Sequence, residues 1–391
     1  MIDWKADTSV LLLSPRFPVD VRRQLESMIA SLPELKAHVW VATSGSTGPV
    51  KLVAISKQAI LKSAEVVNAH LEVEPRDIWA HVLPLFHVGG LGILARTHLC
   101  TARVAGYHGP GGFPPAWTPD FFMQLVKDSR ATLTALVPAQ VYDLVKAGLR
   151  SPPSLRAVVV GGGALQESVY ARGRALGWPL LPSYGATECS SQIATAPLAS
   201  LDQSAFPALP LLPHVEAGVT ADGYLRFRSE ALFTGYVLQD EVDPMSGILI
   251  DPREDGWWTS EDRGTVQNGM VTVAGRGSDF IKVGGENVSI PRLEVLLEEV
   301  KENLTVSCDA ALVAVPDPRL GHVVHMVVSG GKESHAGAML SAFNERVLPY
   351  ERARELHCLA DIPRSPLGKL IRSEVLARIG RQGGRPETAP S

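Results

Sequence analysis

Apolar residues cluster at positions 39–42, give way to a Thr/Ser/Gly run at 43–48, and return at 51–55. That rhythm predicts two short buried strands around a turn. Ser56 stands where a helix N-cap belongs. Ile60, Ala64, Val67 and Leu71 follow at helical spacing and define one apolar face. Residues 78–95 are nearly all apolar, with His81 and His87 as the strongly polar members. Pro84, Gly89, Gly90 and Gly92 interrupt them, which a membrane segment would also tolerate; a buried strand–turn–helix passage is favoured over a membrane span. Residues 132–137 and 155–160 predict further core strands, the second running into Gly161, Gly162 and Gly163. Short buried strands mixed with helices predict a layered α/β architecture.

The pattern changes over residues 204–273, where short strands alternate with Gly, Pro and Asp turns and predict a β-rich subdomain. A smaller unit begins after Gly275, Arg276, Gly277 and Ser278. Pro291 marks a helix start there, and Leu293, Leu296, Leu297 and Val300 form its apolar stripe. Strands at 310–315 and 323–328 and a helix at 336–347 make this unit α+β. The expected plan is a large layered domain at 1–274, a hinge at 275–279, a small mobile domain at 280–379 and a flexible Gly/Pro/Arg-rich tail at 380–391.

Composition narrows the function classes. The 391 residues carry 37 Lys and Arg against 41 Asp and Glu, a net charge of −4, which gives no global attraction to nucleic acid or an anionic membrane. Cys100, Cys189, Cys308 and Cys358 form no C-x-x-C pair and suit a reducing cytoplasm rather than a zinc framework. No basic segment followed by a long apolar run marks a signal peptide near the N-terminus.

The most informative stretch is TSGSTGPVK at residues 43–51. Small residues let successive N–H groups converge on an anion, Ser44, Ser46 and Thr47 add hydroxyls, and Lys51 adds a positive charge. This chemistry suits a triphosphate. It is not the common NTPase loop, because two residues separate Gly48 from Lys51 and Leu52 follows.

On this loop the chain resembles the acyl-adenylate-forming superfamily of acyl- and aryl-CoA synthetases, peptide-synthetase adenylation domains and luciferases. Other motifs follow in order: YGATE at 184–188, TSED at 259–262 after Gly256, Trp257 and Trp258, Gly275-Arg276 with IKVGGEN at 281–287, and PRSPLGK at 363–369. Within the superfamily, PLFHVGG at 84–90, SYGATECSSQI at 183–193 and GGEN at 284–287 resemble the o-succinylbenzoate–CoA ligases of menaquinone synthesis.

The resemblance implies an ATP-dependent ligase that forms an acyl-adenylate and then a CoA thioester, with ATP, Mg²⁺ and coenzyme A taking part. By the same resemblance Thr43, Ser44, Gly45, Ser46, Thr47, Gly48 and Lys51 hold the β- and γ-phosphates, and Thr187 contacts the α-phosphate. Glu188 holds Mg²⁺, and Tyr184, Gly185, Gly162 and Gly163 line the nucleotide. Asp262 binds the ribose and Arg276 reaches the sugar or phosphate; their bland alternatives are a turn aspartate and a surface ion pair. Lys369 approaches the α-phosphate and the attacking carboxylate. Gly285 lines the pantetheine passage, while His87, Gly161, Ser191 and Gln192 face the acyl group. The small domain is expected to rotate between the half-reactions.

Two departures stand out. Only 42 residues precede Thr43, which implies that most of the family's first subdomain is lacking and that a partner subunit could cover exposed surface; a homo-oligomer is compatible with this. Ser278 occupies the hinge position where the family has Asp or Lys, with Asp279 able to substitute, and Ser260 and Glu261 replace the more common Gly before Asp262. Three functions stay open: an o-succinylbenzoate–CoA ligase, another aryl- or fatty-acyl–CoA ligase, and a non-catalytic nucleotide-binding protein of the same fold. None calls for nucleic acid or stable membrane insertion.

Overall fold

The computed structural model describes residues 2–15, 17–43, 51–106, 117–277, 280–283, 286–317, 319–330, 333–365 and 370–382. The chain divides into two compact units, one of Met1–Ser260 with Gly264–Val273 and one of Glu261–Arg263 with Ala274–Ser391.

A parallel sheet organises the first unit. Its strands run Arg103–Gly106, Ile78–His81, Leu133–Leu136, Ala157–Val160 and Leu180–Ala186 in spatial order, with Ser191–Thr195 added antiparallel at the end. Successive side chains alternate between its faces. Leu136, Val158, Val160 and Leu180 pack with Phe122, Leu144 and Trp178 on one face. Leu133, Ala135, Ala157, Val159 and Leu181 pack with Val67, Leu71 and Ile93 on the other. Helices Lys57–His70 and Val88–Cys100 contribute to the second layer, and Pro119–Ser129, Pro138–Lys146 and Glu167–Ala175 to the first.

The Lys57–His70 helix forms as its sequence predicts. Ser56 accepts a hydrogen bond from the Ala59 N–H at 3.1 Å, and Ile60, Ala64, Val67 and Leu71 are buried. Residues 78–95 also follow expectation: strand Ile78–His81 leads into helix Val88–Cys100, and among the described residues no helix is long and apolar enough to cross a membrane.

A second sheet pairs His38–Thr43 antiparallel with Lys51–Ser56, which pairs in turn with Gly235–Gln239. A third contains Tyr224–Arg228, Glu216–Val219, Trp258–Gln267 and Met270–Arg276, as the turn-rich pattern predicts.

In the second unit Glu286–Ser289, Phe280–Val283, Gly321–Ser329 and Asp309–Asp317 lie in that order, and Ala353–Leu359 runs parallel to Gly321–Ser329. Helix Ile290–Leu304 has proline in its first turn and buries Leu293, Leu297 and Val300. The Arg372–Gln382 helix continues into the segment expected to be frayed, because Val375 and Ile379 bury against Val313, Val327 and Leu359.

Candidate active site

The loops at the carboxyl ends of the parallel strands carry the motif residues, the edge where open α/β sheets bind ligands. The strand ending at His81 leads to His87, Ala157–Val160 leads to Gly161, Gly162 and Gly163, and Leu180–Ala186 leads to Thr187 and Glu188. Gly162 has φ +80°, a backbone conformation that glycine adopts without strain. His87 caps the Val88–Cys100 helix with its backbone, its ring centroid 4.6 Å from that of Phe86. Burial lowers the His87 pKa and favours the neutral ring.

The YGATE segment is built around a sharp return. Tyr184 pairs with Ala194, the register slips between Tyr184 and Gly185, and Gly185 and Ala186 then oppose Gln192 and Ser191. A Cβ on Gly185 would lie 1.9 Å from the Ser191 carbonyl oxygen, so only glycine fits. The return passes through Ser190 at φ +58° and Ser191 at φ +139°, an unusual conformation for a residue with a side chain and a form of strain that clusters at functional sites.

Glu188 sits in the short turn Thr187–Cys189 and accepts a hydrogen bond from the Tyr236 hydroxyl at 2.9 Å. The same Tyr236 ring lies under the Lys51 ammonium, 5.1 Å from ring centroid to Nζ. Tyr236 reaches both because its strand, Gly235–Gln239, is hydrogen-bonded to Lys51–Ser56, with Tyr236 opposite Val53. Lys51 of the 43–51 stretch and Glu188 of YGATE are thus joined through one aromatic ring. Thr43 ends its strand opposite Lys51. The Thr43 side chain and Ser44, Gly45, Ser46, Thr47 and Gly48 lie outside the described residues.

Ser191 and Gln192 are buried, and both face Arg96. The Arg96 guanidinium donates to Gln192 Oε1 and, at 3.4 Å, to Ser191 Oγ, and lies 5.3 Å from the Trp79 ring centroid. Gln192 Nε2 is fixed in turn by Thr195 Oγ1 at 2.6 Å. Arg96 is 2% exposed, and its partners among the described residues are Gln192, Ser191 and the Trp79 ring rather than a carboxylate. Desolvation lowers its pKa to about 10, so it stays cationic at neutral pH.

In the second unit Asp262 is 19% exposed, and Arg276 approaches its carboxylate at 3.7 Å and that of Glu261 at 3.7 Å. Arg276 therefore lies near two carboxylates, one of them the proposed ribose ligand. Arg364 donates two hydrogen bonds to Asp309, at 3.0 and 2.8 Å, and forms an isolated bridge with Leu370. Lys369, Gly285, Ser278 and Asp279 lie outside the described residues.

Residues 31–237 match the AMP-binding enzyme family. This chain belongs to that family.

Similarity to individual proteins extends beyond the matched region. The 2-succinylbenzoate–CoA ligase of Bacillus cytotoxicus is 27% identical over 353 residues, covering 87% of this chain and 70% of the relative. The indoleacetate–CoA ligase of Aromatoleum aromaticum is 29% identical over 353 residues, covering 87% and 67%. Among solved structures, o-succinylbenzoate CoA synthetase from Bacillus subtilis in complex with the acyl-adenylate intermediate OSB-AMP superposes with a TM-score of 0.72 at 24% identity, covering 86% of this chain and 68% of that one. ATP-bound MatB from Rhodopseudomonas palustris superposes with a TM-score of 0.69 at 24% identity, covering 87% and 67%. At these identities the structural likeness speaks for the fold.

For this AMP-binding enzyme, sequence reasoning singled out neither Tyr236 nor Arg96. A concavity of about 860 Å³, lined by Ser56, Lys62, Glu65, Leu99 and Glu230 among others, contains none of the motif residues.

Proposed function

We propose that this AMP-binding enzyme is an ATP-dependent acyl–CoA ligase whose acid is o-succinylbenzoate. Arg96 carries the proposal. Its guanidinium is buried, held by Gln192 and Ser191, and without a carboxylate partner among the described residues. A buried charge is unfavourable until an anion meets it. o-Succinylbenzoate has two carboxylates, so one can react while the other offsets the Arg96 charge through the N–H groups that Gln192 and Ser191 leave over. A monocarboxylic acid would leave the guanidinium unmatched. The similarity to 2-succinylbenzoate–CoA ligase supports the same acid.

The chemistry runs in two halves. A carboxylate oxygen of the acid bonds to the α-phosphorus of ATP and pyrophosphate leaves. The CoA thiolate then bonds to the carbonyl carbon and AMP leaves with its new oxygen. Both halves gather negative charge, so donors and cations matter more than an acid–base pair. Residues 43–48 and Lys51 hold the leaving phosphates, Thr187 the α-phosphate, and Tyr184, Gly185, Gly162 and Gly163 the nucleotide base. Asp262 and Arg276 take the ribose, Lys369 neutralises the attacking carboxylate, His87 and Gly161 wall the acyl group, and Gly285 leaves room for pantetheine. Gln192 and Ser191 act by positioning Arg96. Glu188, oriented by Tyr236, is the hard oxygen ligand that Mg²⁺ prefers, and the ion bound there would offset phosphate charge. The free cysteines Cys100, Cys189, Cys308 and Cys358 suit a reducing cytoplasm.

A second reading, an arylacetic acid as substrate, has behind it the 29% identity to indoleacetate–CoA ligase. Thioester formation with o-succinylbenzoate, benzoate and indoleacetate separates the two. The wild-type chain should prefer o-succinylbenzoate. Arg96→Lys keeps the charge but loses the planar fork, and should lower kcat/KM for that acid by about 100-fold, chiefly through KM. Its effect on the two monocarboxylates should be slight. A wild-type preference for indoleacetate would favour the second reading.

A further inference from the structure

A cluster that the ligase chemistry does not use lies on two paired strands of the second unit. His325 on Gly321–Ser329 and Glu355 and His357 on Ala353–Leu359 each present one donor atom, and the three atoms lie within 4.8 Å of one another. His325 Nδ1 is 2.9 Å from His357 Nε2. A Glu355 carboxylate oxygen lies 3.7 Å from the first nitrogen and 3.5 Å from the second. We propose that His325, His357 and Glu355 form a binding site for a first-row divalent metal ion of the zinc class.

The backbone explains the convergence. The two strands are parallel, with His325 opposite Glu355 and Val327 opposite His357, and the register shifts between Val324 and His325. Such irregularities re-aim a side chain. Alternation places Glu355, His357 and Leu359 on one sheet face, where His325 joins Val327. That face is closed further along by Val375 and Ile379 of the Arg372–Gln382 helix. The cluster is graded from inside to outside, with His325 8% exposed as a residue and the Glu355 side chain 63% exposed. An ion can therefore enter from solvent and meet two imidazoles held by rigid strands.

Two neutral imidazoles and one carboxylate are a common donor set for Zn²⁺, with water completing the shell. Tetrahedral coordination at the usual zinc–nitrogen distance places donor atoms about 3.3 Å apart. The carboxylate separations are already close to that value. The two nitrogens must part by only a few tenths of an ångström. Without metal, one ring N–H donates to the other ring nitrogen. Binding requires both of these nitrogens as lone pairs, so the bridging proton moves through solvent to the opposite nitrogen of its own ring. No net proton is lost when both rings start neutral. Burial lowers the His325 pKa and favours that neutral state.

Full-length protein stripped of metal should be titrated with Zn²⁺ against a chromophoric chelator, in excess Mg²⁺. One equivalent per chain is expected, undisplaced by Mg²⁺. His357→Ala and Glu355→Gln should each lose it while keeping the wild-type circular dichroism. Co²⁺ in place of Zn²⁺ should give the visible absorption of a four-coordinate nitrogen–oxygen site, absent from both variants. No stoichiometric equivalent in the wild type, or an equivalent retained in either variant, overturns the site. Because the readout is metal binding alone, it stands apart from the ligase assignment.

Discussion

Tyr236 shows how one side chain can couple two motifs that sequence treats separately. Its hydroxyl donates to Glu188 and its ring supports Lys51. Tyr236→Phe removes the first contact and keeps the second. A hydrogen bond to a charged group contributes about 1.5–3 kcal/mol, so kcat/KM for pyrophosphate release should fall by at least about tenfold, and more Mg²⁺ should be needed for half-maximal rate. An unchanged rate and an unchanged Mg²⁺ requirement would remove Tyr236 from the site. Its partner residues were legible because Lys51 and Glu188 sit inside spaced motifs. Tyr236 was not, since it is 48 residues from Glu188 and its strand reads as ordinary β-rich sequence. Arg96 left a faint trace as a charge directly after an apolar run. What it faces is fixed by a contact with Gln192 across 96 residues, which no local pattern discloses.

Elements were read more securely where their causes are local. Ser56 begins its helix through its own side chain, and the apolar spacing behind it decides which face is buried. The glycine of YGATE was visible as a motif letter, but its reason is tertiary, the 1.9 Å approach of the Ser191 carbonyl to the absent Cβ. The opposite end of the parallel sheet carries a polar clasp that the motifs do not announce. Asp77, Thr132 and Arg156 each precede a strand. Thr132 donates to Asp77 at 2.7 Å, and Arg156 donates to both carboxylate oxygens, at 3.0 and 2.6 Å. Burial would raise the Asp77 pKa, but the hydrogen bonds from Arg156, the Glu74 N–H and Thr132 outweigh it and lower it to about 2. The folded state therefore holds the proton more weakly than the unfolded chain. The clasp's contribution is complete above the unfolded value of 3.8 and disappears as pH falls towards about 2. Thermal melts should show a loss of stability in that window. Asp77→Asn should flatten it and cost about 2 kcal/mol at neutral pH. A wild-type and a variant with the same acid profile would contradict the clasp.

At the scale of the molecule, motif order was legible while the assembled chemistry was only partly so. The change to turn-rich sequence near residue 204 and the new start after Gly275 reflect changes in hydrophobic period. The division between the two compact units lies at Val273 and Ala274, close to the second of these points and far from the first. That residues 261–263 group with the second unit could not be read from the sequence, because grouping depends on neighbours in space. The central claim is that the acid's own oxygen attacks the α-phosphorus of ATP. Oxygen-18 labelling tests it most directly. o-Succinylbenzoate labelled in its carboxylates, incubated with the protein, ATP, Mg²⁺ and CoA, should deliver one labelled oxygen to each AMP, with none in pyrophosphate. Label in pyrophosphate or inorganic phosphate, or no AMP at all, would contradict it.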